Sequence, residues 1–75
     1  MFIVELDHGL YIASKSAPFK NRVENFKYAE KMDYEQAKAV KLSVGGYKEG
    51  YGEIYCSIHE VCEDMDGVMY IRQAG

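Results

Sequence analysis

The stretch that decides the fold is Asp33-Tyr34-Glu35-Gln36-Ala37-Lys38-Ala39-Val40-Lys41-Leu42-Ser43-Val44-Gly45-Gly46. Asp33 stands where a helix N-cap belongs, and Gln36 follows three residues later in the capping-box position. Tyr34, Ala37, Val40 and Val44 recur at helical spacing and form one apolar stripe. Lys38 and Lys41 lie off that stripe, and Lys41 suits the negative end of the helix dipole. Gly45-Gly46 can end the helix with a residue at positive φ. A single helix is therefore predicted over Tyr34–Val44.

Upstream, Phe2–Leu6 is a short β-rich run. Asp7-His8-Gly9 is a turn signal, and Leu10–Ser14 is a second run, so the chain is expected to open with a β-hairpin. Alternation puts Phe2, Val4 and Leu6 on one strand face, with Leu10 and Ile12 on one face of the next; Tyr11 and Ala13 point the other way. Lys15–Asn25 holds the one proline, Pro18, and the bases Lys15, Lys20 and Arg22. It reads as a surface loop pinned by Phe19 and Val23. Phe26–Met32 is short, with Phe26, Ala29 and Met32 at helical spacing.

Downstream, Tyr47–Gly52 is rich in glycine and tyrosine. Glu53–Val61 alternates, with Ile54, Cys56 and Ile58 expected inward and Glu53, Tyr55, Ser57 and His59 outward. Glu63-Asp64-Met65-Asp66-Gly67 reads as an acidic turn, and Val68–Gln73 as a last strand. A loop over 62–67 would set Ile58 opposite Ile71, Glu60 opposite Met69, Tyr70 beside His59 and Arg72 beside Ser57. The expected fold class is α+β: a small ββ-α-ββ domain spanning 1–75, with an antiparallel sheet packed on one helix.

The totals exclude several function classes. Seventy-five residues hold one domain with a barely sufficient core. A hydrophobic fraction of 48% rules out a disordered chain. The net charge of −3 argues against nucleic acid as a direct partner, since phosphate neutralisation needs a basic surface. No apolar run reaches the ~18 residues of a membrane span. Met1–Leu6 carries Glu5 and lacks a basic flank, unlike a signal peptide, so the expected location is cytoplasmic with Cys56 and Cys62 as reduced thiols.

The charge is unevenly distributed. From Glu49 onward there are six carboxylates (Glu49, Glu53, Glu60, Glu63, Asp64 and Asp66) against one base, Arg72. The first 48 residues carry eight bases and six acids. The acids gather on one predicted hairpin, which also holds tyrosines. There are seven tyrosines and no tryptophan, more tyrosine than so small a core requires. Tyrosines whose one end is wet suit an interface.

Reactive constellations are weak. Cys56, His59 and Cys62, with His8 more distant, are the right donors for zinc, but His59 alternates away from Cys56 and no C-x₂-C knuckle is present. A thiol nucleophile would need Cys62 beside His59 or His8, and the surrounding carboxylates would raise its pKa. Glu63, Asp64 and Asp66 do not have EF-hand spacing. The glycines of Gly45–Gly52 match no phosphate loop and follow a helix instead of preceding one. The reading is therefore non-enzymatic, with no catalytic residue, metal or cofactor. A small Cys/His metal or thiol redox module, or a structural homodimer, are the alternatives.

The opening hairpin Phe2–Ser14, then Phe26-Lys27-Tyr28-Ala29-Glu30-Lys31-Met32, Asp33-Tyr34-Glu35-Gln36-Ala37 and the closing Gly45-Gly46, loosely resembles small proteins of bacteriophages and prophages. The resemblance covers the first 48 residues. Among such proteins are anti-CRISPR inhibitors that bind a host machine directly. What it implies is a phage-type protein, in the cytoplasm of a bacterial host, that inhibits or modulates a host protein. The expected partner presents a basic surface, such as one that normally holds nucleic acid. The residues expected to meet it are Tyr47, Tyr51, Glu53, Tyr55, Glu63, Asp64, Asp66 and Tyr70, supported by Glu49 and Glu60.

Overall fold

The computed structural model describes residues 1–44 and 55–75 in full, and the backbone at 48–49 and 52–53. Its elements run β1 (Phe2–Leu6), β2 (Tyr11–Ile12), β3 (Arg22–Val23), a 3₁₀ turn (Phe26–Tyr28), α1 (Tyr34–Val44), β4 (Lys48–Glu49), β5 (Gly52–Glu53), β6 (Cys56–Glu63) and β7 (Met69–Gln73). Five strands form one antiparallel sheet in the order β3-β2-β1-β6-β7, and β4 pairs with β5 separately. The helix packs on one face of the sheet, giving the expected α+β architecture.

The helix begins where the sequence places it. Gln36 N–H donates to Asp33 Oδ1 at 2.7 Å, and Asp33 N–H donates back to Gln36 Oε1 at 3.2 Å. This reciprocal box satisfies helix-end donors that would otherwise lack partners. Just before it, Met32 exchanges two backbone hydrogen bonds with Phe2, at 2.8 and 2.9 Å. The entry to α1 is thereby tied to the start of β1, and the Phe2 and Tyr34 rings meet at 5.1 Å.

The core lies between α1 and the sheet. Ala37, Val40 and Val44 from the helix meet Val4, Leu6, Ile12, Met32 and Ile58, all buried. Phe2 and Cys56 pack against this cluster while partly buried, as strand alternation requires. Tyr34 heads the helix stripe but stays 38% exposed.

Four expectations need correction. Lys15–Asn25 is not all loop: Arg22 and Val23 pair with Ile12 and Tyr11 as an extra edge strand. The strand expected over Glu53–Val61 spans Cys56–Glu63 instead. The β6–β7 register is shifted by three residues, with Glu60 opposite Arg72, Val61 opposite Ile71 and Cys62 opposite Tyr70. The cause is the turn. Cys62 and Glu63 remain in β6, and the bend is confined to Asp64–Val68, where Gly67 takes φ 81° and Asp64 N–H donates to Val68 O at 3.0 Å. An odd shift exchanges faces, so Tyr70 does not sit beside His59. Finally, Ser57 and His59 are buried instead of facing solvent. Ile3, opposite His59, is buried with them, so this face of the central strands is also covered. Gly45, Gly46, Tyr47, Gly50, Tyr51 and Ile54 lie outside the described residues.

Asp33→Ala removes the cap acceptor and is expected to destabilise the fold by about 1 kcal/mol, read as a lower urea midpoint with unchanged slope.

Candidate functional site

The β1–β6 pairing brings together three groups that could form a catalytic set. Glu5 pairs with Ser57, and Ile3 with His59, so Glu5, Ser57 and His59 share the sheet face away from α1. His59 Nε2 lies 2.8 Å from Glu5 Oε1 and 3.0 Å from Ser57 Oγ, and Ser57 Oγ is 3.3 Å from the same carboxylate oxygen. An ionised carboxylate only accepts, so Nε2 carries the proton and the serine hydroxyl also turns toward Glu5. Tyr11 stands edge-on to the imidazole at 6.2 Å.

This trio is not arranged for nucleophilic catalysis. A serine relay needs the hydroxyl on one ring nitrogen and the acid on the other. Here both meet Nε2, while Nδ1 is buried with no partner. Burial pushes the Glu5 carboxyl up, but the Gly9 N–H at 2.7 Å, His59 and Ser57 outweigh it and hold the group below its ordinary value. Tyr11 is raised by burial and by the Glu5 charge. The trio stitches β1 to β6 and holds the Asp7–Gly9 turn through Glu5.

The cysteines do not gather either. Cys56 and Cys62 are six residues apart on β6, about 20 Å along an extended strand, too far for a disulfide bridge between them. His59 alternates to the opposite face. Burial raises the Cys56 thiol, against a smaller opposing effect of Lys41, so this sulfur is not an activated nucleophile. Among the described residues, no group of three His, Cys, Asp or Glu side chains could hold a metal ion.

The acidic turn is a defined structure at the far end of the β6–β7 hairpin. Asp64 Oδ1 accepts from Asp66 N–H and Val68 N–H, both at 2.9 Å, and Gly67 N–H donates to Asp64 O at 3.1 Å. Asp64 is thus a turn-former as well as a surface charge. Glu63 and Asp66 are exposed, and between them Met65 is fully exposed at 104%. Val68 (57%) and Tyr70 (45%) extend the same tip. Met65 and Val68 thus stand exposed beside the carboxylates Glu63 and Asp66.

Not every expected surface residue joins it. Glu60 is held by Arg72, with Nη2 at 2.6 Å and Nε at 2.8 Å. That pair lowers the Glu60 pKa and removes the acid from the free charge. Tyr55 lies beyond the opposite end of β6, stacked on His8 at 4.3 Å between ring centroids. More than about 20 Å of strand separates it from the tip. Tyr47 and Tyr51 lie outside the described residues, and Glu53 and Glu49 are described in backbone only. The structure therefore joins Glu63, Asp64, Asp66 and Tyr70, and sets Tyr55 apart.

The sequence reading missed one feature. Tyr34, Lys38, Lys41 and Leu42 share one side of α1 and, with Ile58 and Gly75, line a pocket of about 430 Å³. Lys38 Nζ lies 5.5 Å from the Tyr34 ring centroid, and Leu42 is exposed. The i, i+4, i+8 spacing of Tyr34, Lys38 and Leu42 was the available signal. No helix among the described residues is long and apolar enough to cross a membrane. No protein-family model, curated protein or solved structure matches the chain.

The depressed Glu5 pKa gives a stability signature. Its stabilising effect is complete above the ordinary value of 4.5 and is lost as pH falls through the lower folded-state value. Urea midpoints between pH 7 and pH 3 should fall less in Glu5→Gln than in the parent. Glu63→Gln, at the exposed tip of the hairpin, is the control.

Proposed function

We propose that this chain is a non-enzymatic binding protein whose recognition element is the acidic tip of the β6–β7 hairpin. The observation that supports it is the exposure of Met65 between Glu63, Asp64 and Asp66, with Val68 and Tyr70 behind. A methionine is a flexible, polarisable contact that adapts to a partner surface. The carboxylates around it favour a basic partner and repel acidic ones. Turn hydrogen bonds through Asp64 fix the tip in advance, which lowers the ordering cost of binding.

The resemblance to small phage proteins supplies the partner class. The partner is a host protein with a basic surface, such as one that otherwise holds nucleic acid, and the effect is inhibition or modulation by occupancy. Tyr55 does not belong to this tip. Tyr47, Tyr51 and Glu53 enter the reading only as neighbours in sequence, between α1 and β6.

Affinity capture from bacterial lysate tests the reading when the parent is compared with two variants. Met65→Ala should weaken capture of the same protein at every salt concentration. Glu63→Lys with Asp66→Lys should weaken it by about tenfold or more at low ionic strength, and less where salt shortens the screening length. Capture that is indifferent to both variants would overturn the assignment of the tip.

A further inference from the structure

The edge strand β7 and the pocket beside it fit a second copy of the same chain. Among the described residues β7 has one strand neighbour, β6. Asp64 N–H donates to Val68 O, and Ala74 N–H donates to Ile58 O. The antiparallel ladder alternates every residue, so the even-numbered residues of β7 aim their backbone groups at β6. Met69, Ile71 and Gln73 therefore aim theirs away from the sheet, as an open row of donors and acceptors.

An antiparallel partner centred on Ile71 would meet that row with its own. Ile71 would face Ile71 of the second copy, and Met69 would face Gln73. The two-fold axis is perpendicular to the sheet, so both helices lie on one side. On that side Arg72 comes beside Tyr70 of the second copy, an opposed pair without like charge. Past Gln73 the open row ends, since Ala74 and Gly75 both bond Ile58 and Gly75 lines the pocket, so the turn that precedes Met69 of the second copy arrives beside that pocket. The acidic tip thus arrives at the pocket carrying Lys38 and Lys41, with exposed Met65 and Val68 nearest its apolar wall of Tyr34, Leu42 and Ile58. Within one chain this contact cannot form, because the tip lies about 20 Å along the same hairpin from Ile58.

We propose that two copies pair through β7 across this axis, each seating its acidic tip against the lysine-flanked pocket of the other. Register, charge and apolar exposure converge on it independently of any host partner. The pairing is isologous and closed, so it stops at two chains. It also covers the tip, so a host partner would compete with the second copy for the same residues.

Sedimentation velocity over a concentration series tests this. The parent should form a two-chain species that dissociates on dilution. Ile71→Pro removes an N–H that points away from β6, a position where an edge strand tolerates proline. It should yield a folded monomer, with the fold checked by circular dichroism. Two charge variants give the decisive arm. Glu63→Lys with Asp66→Lys sets a basic tip against a basic pocket, and Lys38→Glu with Lys41→Glu sets acid against acid. Each alone should self-associate about tenfold more weakly or worse than the parent. Their equimolar mixture restores opposite charge at both seats and should pair. A monomeric parent at every soluble concentration, self-association that survives Ile71→Pro, or a mixture no more associated than its components would each overturn the proposal. The Ile71→Pro monomer keeps its tip, so its capture of a host protein reports on the binding role separately.

Discussion

The pairing of β1 with β6 supports everything else in the molecule. It joins Phe2 to Glu60 and Leu6 to Cys56, residues fifty or more positions apart. On the helix side it aligns Val4 with Ile58 to receive Ala37, Val40 and Val44. On the other side it sets Glu5 against Ser57 and within reach of His59. A one-residue slip would exchange these two sets, putting a carboxylate under the helix and the aliphatic residues beside the imidazole. The buried polar trio thus serves the fold as a register lock, although its composition is that of an active site.

What could be read in the sequence was whatever local chemistry determines. The limits of α1 follow from Asp33, Gln36 and a four-residue stripe, none of which needs tertiary information. The β-hairpin turn at Asp7–Gly9 is similarly local. His59 shows the opposite case. Alternation alone sends it to solvent, and Glu5, fifty-four residues earlier, with Ser57 supplies the partners that make its burial tolerable. Strand β3 is two residues inside a polar loop, too short for any period to show. The hairpin register depended on whether Cys62 and Glu63 bend or extend. The Asp64 side chain decides this by capping a tight turn, and composition alone made the whole acidic run look like loop.

The candidate site was half legible for the same reason. Counting acids identified the C-terminal hairpin, but Arg72 neutralises Glu60 across the strands and Asp64 is partly committed to its own turn. At the tip the negative charge is that of Glu63, Asp64 and Asp66, around a methionine that composition gave no reason to notice. The apolar-cationic pocket was not seen because Lys38 and Lys41 read as a solvated face until Ile58 and Gly75 arrive beside them.

The partner of β1 that completes the central sheet is the second-to-last strand, and this fixes an order of assembly. As the chain leaves the ribosome, the opening hairpin and α1 are complete before Cys56–Glu63 exists. Until then β1 has only β2 and Met32 beside it, on one edge, and the future core face of Val4 and Leu6 lacks Ile58. Closing so long a loop is entropically costly and comes late. A nascent or prematurely terminated chain therefore presents an unpaired strand and an uncovered apolar face, the features that holdase chaperones bind and quality-control proteases act on.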